Sequence, residues 1–311
     1  MNTDFNGLIA APYTPTGVGH AINLNIVPPY AELLVRNQVN TAFICGTTGE
    51  FASLSVDERE QLATAWLQAT ARPLRVIVHV GHTALSCAQR LARHANEQGA
   101  AAIACMAPWF FKPQSVTEVV TWCSAVASAA PTLPFFYYHM PSMNGVSIPV
   151  AAFIEEATRR IPSFAGVKYS HDDLDDLVEC VKVSKGRAAV FMGRDELLLE
   201  GLRCGVSGAV GSTYNYAAPL YQRLMQAFAS GDESLAASLQ ETAREMISLC
   251  SRSKAGHLSR SKTLMKSLGV DCGAVRPPLM QPEKEEIASL HADLNEAGFF
   301  EYACRPLSYS A

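Results

Sequence analysis

Short apolar runs recur along the chain, and longer stretches with apolar residues at helical spacing separate them. Most of the runs are almost continuously apolar, which is typical of strands that are covered on both faces of a parallel sheet. The pattern therefore predicts eight strands. They are Gly7–Pro12, Thr41–Gly46, Arg75–Gly81, Ala101–Ala107, Pro134–Met140, Phe164–Ser170, Ala188–Gly193 and Gly208–Thr213.

The stretches between the runs carry the marks of helices. Ser55 is followed by Val-Asp-Glu, the pattern of an N-cap with acidic residues in the first helical turn. Pro28 and Pro29 can open a helix, because the first turn does not need the missing N–H. Eight strands that alternate with helices predict right-handed β-α-β units and a closed α/β barrel of the (β/α)8, or TIM barrel, class. An open doubly wound sheet is the alternative, and the lack of GxGxxG after the first strand argues against it.

The pattern changes after Tyr216, where only helix-like segments follow. This tail is too long to be the last barrel helix alone, so we expect a helical appendage at the C-terminus. The sequence predicts a barrel over residues 1–230 and a C-terminal helical extension over residues 231–311. The helical segments are 217–229, 233–252, 258–268 and 282–296.

Composition narrows the class of function. Hydrophobic residues make up 49% of the 311 residues and charged residues 17%, which suits a large core and excludes a disordered chain. The net charge of −4 leaves no basic excess for nucleic acid or an anionic membrane. The longest uncharged stretch, Val119–Ile154, is interrupted by four prolines and is not a membrane span. The first residues lack the basic start and apolar core of a signal peptide, so a cytoplasmic location is expected.

Histidine and cysteine spacing predicts no metal site. His79 and His82 have no third ligand nearby in the sequence. His139 and His171 flank the ends of strands five and six, so we expect them near the barrel mouth and not as metal ligands. The nine cysteines lie far apart, without CxxC pairs. Buried free thiols in a reducing compartment are the expected state.

Lys168 is the strongest candidate for chemistry. In such barrels the catalytic residues lie at the carboxyl ends of the strands and in the loops that follow. Of the eight lysines, only Lys168 lies inside a strand-like run; the others fall in turns, helix surfaces or the tail. An amine that points into a barrel mouth loses water, which favours the neutral, nucleophilic form. Gly166 and Ser170 share its face of the strand. The alternative is a strand-end lysine paired with a carboxylate.

Tyr138 and one turn are the next candidates. Tyr138 ends the strand beside that of Lys168, and a phenol there can exchange protons with a substrate hydroxyl, although packing is an alternative role. The turn Gly46-Thr-Thr-Gly-Glu50 offers the hydroxyls of Thr47 and Thr48 and several N–H groups. These can hold a carboxylate without a cationic side chain. An ordinary turn between a strand and a helix is equally open.

Two later loops leave their roles open. Asp195 and Glu196 either bind substrate hydroxyls or favour the start of the next helix. The run Gly208–Thr213 is either a phosphate site, which often lies near strands seven and eight of such barrels, or a plain glycine-rich strand end.

At these residues the sequence resembles the N-acetylneuraminate lyase family, within the pyruvate-dependent Schiff-base aldolases that include dihydrodipicolinate synthase. The resemblance covers nearly the whole chain, and its details are most similar to the animal lyases. It is carried by Gly46-Thr-Thr-Gly-Glu50, Tyr137-Tyr-His-Met-Pro141, Gly166-Val-Lys168, Gly193-Arg-Asp-Glu196 and Gly211-Ser-Thr-Tyr-Asn215.

The resemblance implies reversible cleavage of N-acetylneuraminate to N-acetylmannosamine and pyruvate, with no metal or organic cofactor. It implies that Lys168 forms the Schiff base and that Tyr138 takes the proton of the C4 hydroxyl. It also implies a small sugar acid as the partner, a homotetramer, and no nucleic acid or membrane. The substrate-binding residues that it implies are Thr47, Thr48, Ser170, Gly193, Asp195, Glu196, Gly211 and Ser212.

Two departures from the family pattern keep alternatives open. The loop after strand four, Pro108-Trp-Phe-Phe-Lys112, lacks the tyrosine that members often use in a relay between subunits. The segment Pro141-Ser-Met-Asn-Gly145 lacks the arginine with which dihydrodipicolinate synthases hold a second carboxylate. The alternatives are another pyruvate-dependent aldolase of this group, acting on a 2-keto-3-deoxy sugar acid or resembling dihydrodipicolinate synthase, and a non-catalytic barrel that binds a sugar acid.

Overall fold

Eight strands form a closed barrel in the computed structural model, which describes residues 5–69 and 74–307. Each strand neighbours the next one in sequence, as β-α-β units require. The predicted barrel is therefore confirmed, and every strand lies within one of the eight apolar runs. The strands are β1 (Gly7–Ala10), β2 (Thr41–Ile44), β3 (Arg75–His79), β4 (Ala102–Met106), β5 (Phe135–His139), β6 (Phe164–Tyr169), β7 (Ala189–Met192) and β8 (Gly208–Gly211).

Twelve α-helices lie in the described part of the chain. Ser55 caps α2 as expected: its side chain accepts from the N–H of Glu58, whose carboxylate accepts from the N–H of Ser55. The prolines lie in the first turn of α1. The helices are α1 (Val27–Arg36), α2 (Val56–Gln68), α3 (Leu85–Glu97), α4 (Val116–Ala127), α5 (Pro141–Asn144), α6 (Val150–Arg160), α7 (Leu174–Ser184), α8 (Leu198–Cys204), α9 (Ala218–Ala229), α10 (Glu233–Ser251), α11 (Gly256–Leu264) and α12 (Lys284–Glu296).

An irregularity at the start of β6 sets the direction of its side chains. Phe135 pairs with Phe164, but Phe136 pairs with Gly166, so β6 has one extra residue at this point. Gly166 has φ of 154°, and a Cβ there would lie 2.0 Å from the carbonyl oxygen of Ala189. No other residue fits so close to β7, and the regular alternation that begins at Gly166 fixes the face on which Lys168 lies.

The described residues group into two compact units. One contains the chain up to Ile9 with Arg75–Val210, and therefore β3–β7 and α3–α8. The other contains Ala10–Leu74 and the chain from Gly211 onward, with β2, α1, α2 and α9–α12. The predicted domain boundary at residue 230 stays a prediction. The first four residues of the N-terminal segment and the last four of the C-terminal extension lie outside the described residues.

Candidate active site

Lys168 and Tyr138 lie side by side in the first unit. They are register partners on β6 and β5, and the Nζ atom of Lys168 lies 4.1 Å from the centre of the Tyr138 ring. Both side chains are buried. An ammonium over the face of a phenol is attracted by the ring's π electrons. The expected approach of the phenol to the lysine is confirmed, with the amine above the ring.

Aromatic residues surround this pair on the neighbouring strands. Phe191 on β7 is the other register partner of Lys168, and its ring lies 5.4 Å from that of Phe136. Side chains alternate along a strand, so Phe136 and Tyr138 share one face of β5. Lys168 therefore stands between a phenol and a phenyl group rather than beside a carboxylate on either flanking strand.

The hydroxyl of Tyr138 has a weak acceptor as a neighbour. It donates to the Sδ atom of Met140 at 2.9 Å, and the ring of His79 meets the tyrosine ring edge-on at 5.7 Å. A thioether is a poor hydrogen-bond acceptor. A substrate hydroxyl is a better one, so the phenol can exchange this contact for a substrate at small cost.

The opposite face of β5 and β6 holds a separate aromatic cluster. The ring of Tyr137 lies 4.3 Å from that of Phe153 on α6, and His139 lies between Tyr169 and His171, 5.5 and 5.7 Å away. Burial and the neighbouring His171 lower the pKa of His139 to about 3, so its imidazole is neutral near pH 7. His139 ends β5, as expected, but it does not line the mouth, because it lies one residue beyond Tyr138 and its ring takes the helix-facing side.

Ser170 offers a buried hydroxyl just beyond β6. Its N–H donates to the carbonyl of His139, and its Oγ atom finds no hydrogen-bond partner among the described residues. Gly193 lies directly against it, because a Cβ on Gly193 would be 2.0 Å from that oxygen. Glycine at 193 thus keeps the hydroxyl of Ser170 uncovered, and a buried hydroxyl gains free energy from a ligand that pairs with it.

Asp195 and Glu196 form the start of a short 3-10 helix, Asp195–Leu197. Asp195 is buried, whereas Glu196 is half-buried and pairs with Arg194 at 2.8 Å. The helix α8 begins only at Leu198 and has no side-chain cap, so these two carboxylates do not cap it. The partner of Glu196 was missed by the sequence analysis, although Arg194 stands two positions away.

The second unit contains the turn Gly46-Thr-Thr-Gly-Glu50, which follows β2. Thr47 and Thr48 are half-buried. Two contacts shape the turn: the N–H of Glu50 donates to the carbonyl of Thr47 at 3.0 Å, and the hydroxyl of Thr14 donates to that of Gly49 at 2.6 Å. Two hydroxyls are thus presented on a backbone that is held at both ends.

Glu50 has a partner that the sequence analysis did not foresee. Lys262, on α11, is buried and donates to the Oε1 atom of Glu50 at 2.8 Å. From its position in the sequence, this lysine was expected only to lie in a turn, on a helix surface or in the tail. The two residues are 212 positions apart, and no local pattern connects them.

Gly211 and Ser212 also belong to the second unit, at the end of β8. The carbonyl of Gly211 accepts from the N–H of Ala11 at 2.9 Å, and the amide of the fully buried Asn215 donates to the carbonyl of Ser212 at 2.7 Å. Ser212 is half-buried. Its backbone is therefore fixed while its hydroxyl stays on a partly open surface.

Gly208, at the start of β8 in the first unit, has a packing role. A Cβ on Gly208 would lie 2.6 Å from the carbonyl oxygen of Gly7, so only glycine lets these backbones approach. This close packing explains why residue 208 is glycine, and no bound phosphate is needed to explain it. It therefore favours a plain glycine-rich strand end over a phosphate site for Gly208–Thr213.

Residues 5–69 and 74–307 contain neither a metal-binding cluster nor a membrane-spanning helix. No cluster of three or more His, Cys, Asp and Glu side chains suits a metal ion in those ranges. Within the same ranges no helix has the length and apolar character to cross a membrane. Of the histidine pair His79 and His82, His82 uses its Nδ1 atom to accept from the N–H of Ala84 at 2.9 Å, so that nitrogen is not available to a zinc ion.

A closed α/β barrel with a buried lysine on β6 and a tyrosine beside it on β5 defines a class of barrel enzymes. The chain belongs to the dihydrodipicolinate synthetase family, whose model matches residues 4–297. The resemblance found in the motifs is therefore confirmed at the level of the family.

Within this family, the similar proteins of known function include N-acetylneuraminate lyases. The chain is 42% identical to the N-acetylneuraminate lyase of Gallus gallus over 292 residues, covering 93% of this chain and 94% of the relative. It is 38% identical to that of Homo sapiens over 300 residues, covering 95% and 93%. Among solved structures, the Proteus mirabilis N-acetylneuraminate lyase superimposes with a TM-score of 0.91 at 36% identity, covering 95% of this chain and 99% of that one.

Proposed function

We propose that this protein is a carbon-carbon lyase that cleaves N-acetylneuraminate reversibly to N-acetylmannosamine and pyruvate through a Schiff base on Lys168. The observation that carries the proposal is the position of Lys168, with its amine 4.1 Å above the ring of Tyr138. The similarity to animal and bacterial N-acetylneuraminate lyases supports this substrate.

Lys168 begins the reaction on the open-chain form of the sugar acid. The neutral Nζ atom adds to the C2 ketone carbon, and one of its protons passes to the former ketone oxygen. A second proton, taken from solvent, converts that hydroxyl to water, which leaves. The product is a protonated imine, which accepts the electron pair of a neighbouring carbon-carbon bond. Lys168 and Tyr138 are both buried, which limits the access of water to the imine.

Tyr138 carries the proton of the cleavage step. Its phenol oxygen accepts the proton of the C4 hydroxyl while its own proton passes to the substrate carboxylate, as the C3–C4 bond breaks. The electron pair of that bond forms the enamine, and C4 becomes the aldehyde of N-acetylmannosamine. Protonation of the enamine at C3 and addition of water then release pyruvate and restore the amine.

The remaining candidate residues bind the two ends of the substrate. We assign the carboxylate to the hydroxyls and N–H groups of Thr47 and Thr48, which form short charge-assisted hydrogen bonds with an anion. Each hydroxyl of the polyol end both donates and accepts hydrogen bonds. Protein carboxylates accept from it, and protein hydroxyls can do either. The residues assigned to that end are Ser170, Gly193, Asp195, Glu196, Gly211 and Ser212.

The proposal also covers cofactors, partners and cellular location. The protonated imine is itself the electron sink, so the reaction uses no metal and no organic cofactor. The partners are a small sugar acid and further copies of this chain, with no nucleic acid or membrane. All nine cysteines are free thiols, which supports a cytoplasmic location because that compartment is reducing.

The substrate should be N-acetylneuraminate rather than aspartate semialdehyde, the aldehyde partner of a dihydrodipicolinate synthase. The semialdehyde brings a second carboxylate, which needs a partner once it loses water. The segment after Pro141 has no guanidinium, and the ammonium of Lys112 lies 2.5 Å from where a Cβ of Gly145 would be. A flexible ammonium on an exposed loop does not replace a planar fork.

We expect rapid release of pyruvate from N-acetylneuraminate and little condensation of pyruvate with aspartate semialdehyde in one preparation. Asp195→Ala is expected to lower kcat/KM for the sugar about 10- to 100-fold, because a buried hydrogen bond to the polyol is lost. Coupled assays of both reactions measure these rates.

Asp175→Ala is the matched control: Asp175 lies exposed in the first turn of α7, so its loss should leave sugar turnover unchanged. Borohydride trapping of pyruvate on Lys168 should also be unchanged in Asp195→Ala. Faster reaction with the semialdehyde, or normal sugar turnover in the Asp195 variant, contradicts the assignment of the substrate.

We also propose a homotetramer. Phe110 and Phe111, in the loop after β4, are 76% and 85% exposed and pack against each other at 5.1 Å. Such an apolar patch is costly on a monomer. Light scattering should report four times the 33.6 kDa of one chain, and changing both phenylalanines to serine should lower that mass. A parent protein that scatters as a single chain contradicts the proposal.

A further inference from the structure

A buried ion pair lies in the second unit, away from any surface. The side chains of Lys262 and Glu50 are each 1% exposed and meet at 2.8 Å. Both oxygens of Glu50 are used, because Oε2 accepts from the N–H of Arg276 at 2.7 Å. The ammonium also donates to the carbonyl of Ala274 at 2.8 Å. The pair is therefore hydrogen-bonded on both sides, as a buried charge pair must be to persist.

This pair holds the turn that we assign to the substrate carboxylate. Glu50 is the last residue of that turn and has φ of 55°, a left-handed conformation that a residue with a Cβ adopts only when contacts enforce it. Its side chain binds Lys262 while its N–H donates to the carbonyl of Thr47. The ion pair thus fixes the backbone from Glu50 back to Thr47.

The other end of the pair rests on a rigid frame. The hydroxyl of Thr16 donates to the carbonyl of Ala274 at 2.5 Å. The backbone N–H of Thr16 donates to the carbonyl of Cys272 at 3.0 Å. A Cβ on Gly273 would lie 2.0 Å from the carbonyl oxygen of Thr16, so the two segments are as close as backbones can be. Lys262 therefore connects the turn to a part of the unit that has little freedom to move.

We propose that Lys262 is a positioning residue for recognition of the substrate carboxylate, acting through Glu50; this inference rests on the proposed function. Lys262 has two effects. It holds Glu50 so that the hydroxyls and N–H groups of Thr47 and Thr48 keep their arrangement. It also neutralises the carboxylate of Glu50, which stands two residues from Thr48 and would otherwise repel an anion.

The test compares two ketones that form an imine with Lys168, one with a carboxylate and one without. Borohydride reduces the imine to a stable amine, so the trapped fraction is measured by mass against the concentration of pyruvate or of acetone. Lys262→Met is expected to raise the pyruvate concentration for half-maximal trapping roughly 10- to 100-fold. Trapping of acetone should stay as in the parent protein, because acetone has no carboxylate to misplace.

Two further variants separate positioning from general damage. Lys262→Arg keeps the charge and should recover a large part of the pyruvate response. Lys266→Met is the matched control: this lysine is 76% exposed on the next turn of chain and pairs with Asp271 at the surface. It should trap both ketones like the parent.

The outcomes distinguish this inference from the proposed function. Equal losses for pyruvate and acetone in Lys262→Met, or no loss for either, overturn the inference. If that variant does not fold, the double variant Lys262→Met with Glu50→Gln leaves no unpaired buried charge. It should show a smaller loss that is still specific to pyruvate, and a normal response overturns the inference. A parent protein that traps no pyruvate overturns the proposed function itself.

Discussion

Lys168→Ala is expected to abolish turnover of N-acetylneuraminate, by at least about 10⁴-fold in kcat/KM, as removal of a covalent nucleophile does. Without the amine no imine forms, and the C3–C4 bond has no electron sink. The fold should persist, because the change shortens one side chain and the flanking strands β5 and β7 carry no carboxylate. Pyruvate release and circular dichroism measure the two expectations.

The control for this variant is Lys182→Ala. Lys182 lies on α7, is 62% exposed and pairs with Glu179, so its loss should leave turnover near that of the parent. Measurable cleavage by a folded Lys168→Ala protein contradicts the covalent mechanism and favours a barrel that binds the sugar acid or reacts by another route.

Tyr138→Phe is expected to lower kcat for cleavage about 10²- to 10⁴-fold, the usual contribution of a positioned acid or base. The substitution keeps the ring beneath the amine of Lys168 and removes only the hydroxyl. Formation of the pyruvate imine should therefore be much less affected than cleavage. Stopped assays of cleavage and borohydride trapping on the same sample measure the difference.

Tyr137→Phe provides a matched control from the same strand. Tyr137 points to the opposite face of β5, where it packs against Phe153. Over residues 5–69 and 74–307, the only hydrogen-bond contact of its hydroxyl is with the Nδ1 atom of His139, at 3.4 Å. Loss of that hydroxyl should change cleavage little. If both tyrosine variants lose activity equally, the effect is structural and Tyr138 is not the proton carrier.

The strands and most helices could be predicted because their signals are local. The run Phe164–Ser170 is apolar apart from Lys168 and Ser170, and the strand β6 ends one residue before the run does. The run Gly208–Thr213 was predicted too long, because a 3-10 turn over Thr213–Asn215 begins soon after β8 ends at Gly211. Local patterns give the elements, and the turns that end them shift the boundaries.

The proximity of Lys168 to Tyr138 was also predictable, because neighbouring strands and alternation along each strand place both. The same alternation could have placed His139 on the helix-facing side. The pair of Glu50 with Lys262 was not predictable, since it depends on how two segments far apart in sequence come together. Which residues bind the substrate stays a prediction, since burial and distance give a side chain's position but not its role.

The most direct test of the central claim is borohydride reduction in the presence of pyruvate, followed by peptide mapping. The account predicts that one peptide gains the mass of the reduced pyruvate adduct, that it contains Gly166-Val-Lys168, and that fragmentation places the adduct on Lys168. Omission of pyruvate, or the Lys168→Ala substitution, should remove the label. An adduct on a different lysine, or no adduct in a protein that releases pyruvate from N-acetylneuraminate, contradicts the account.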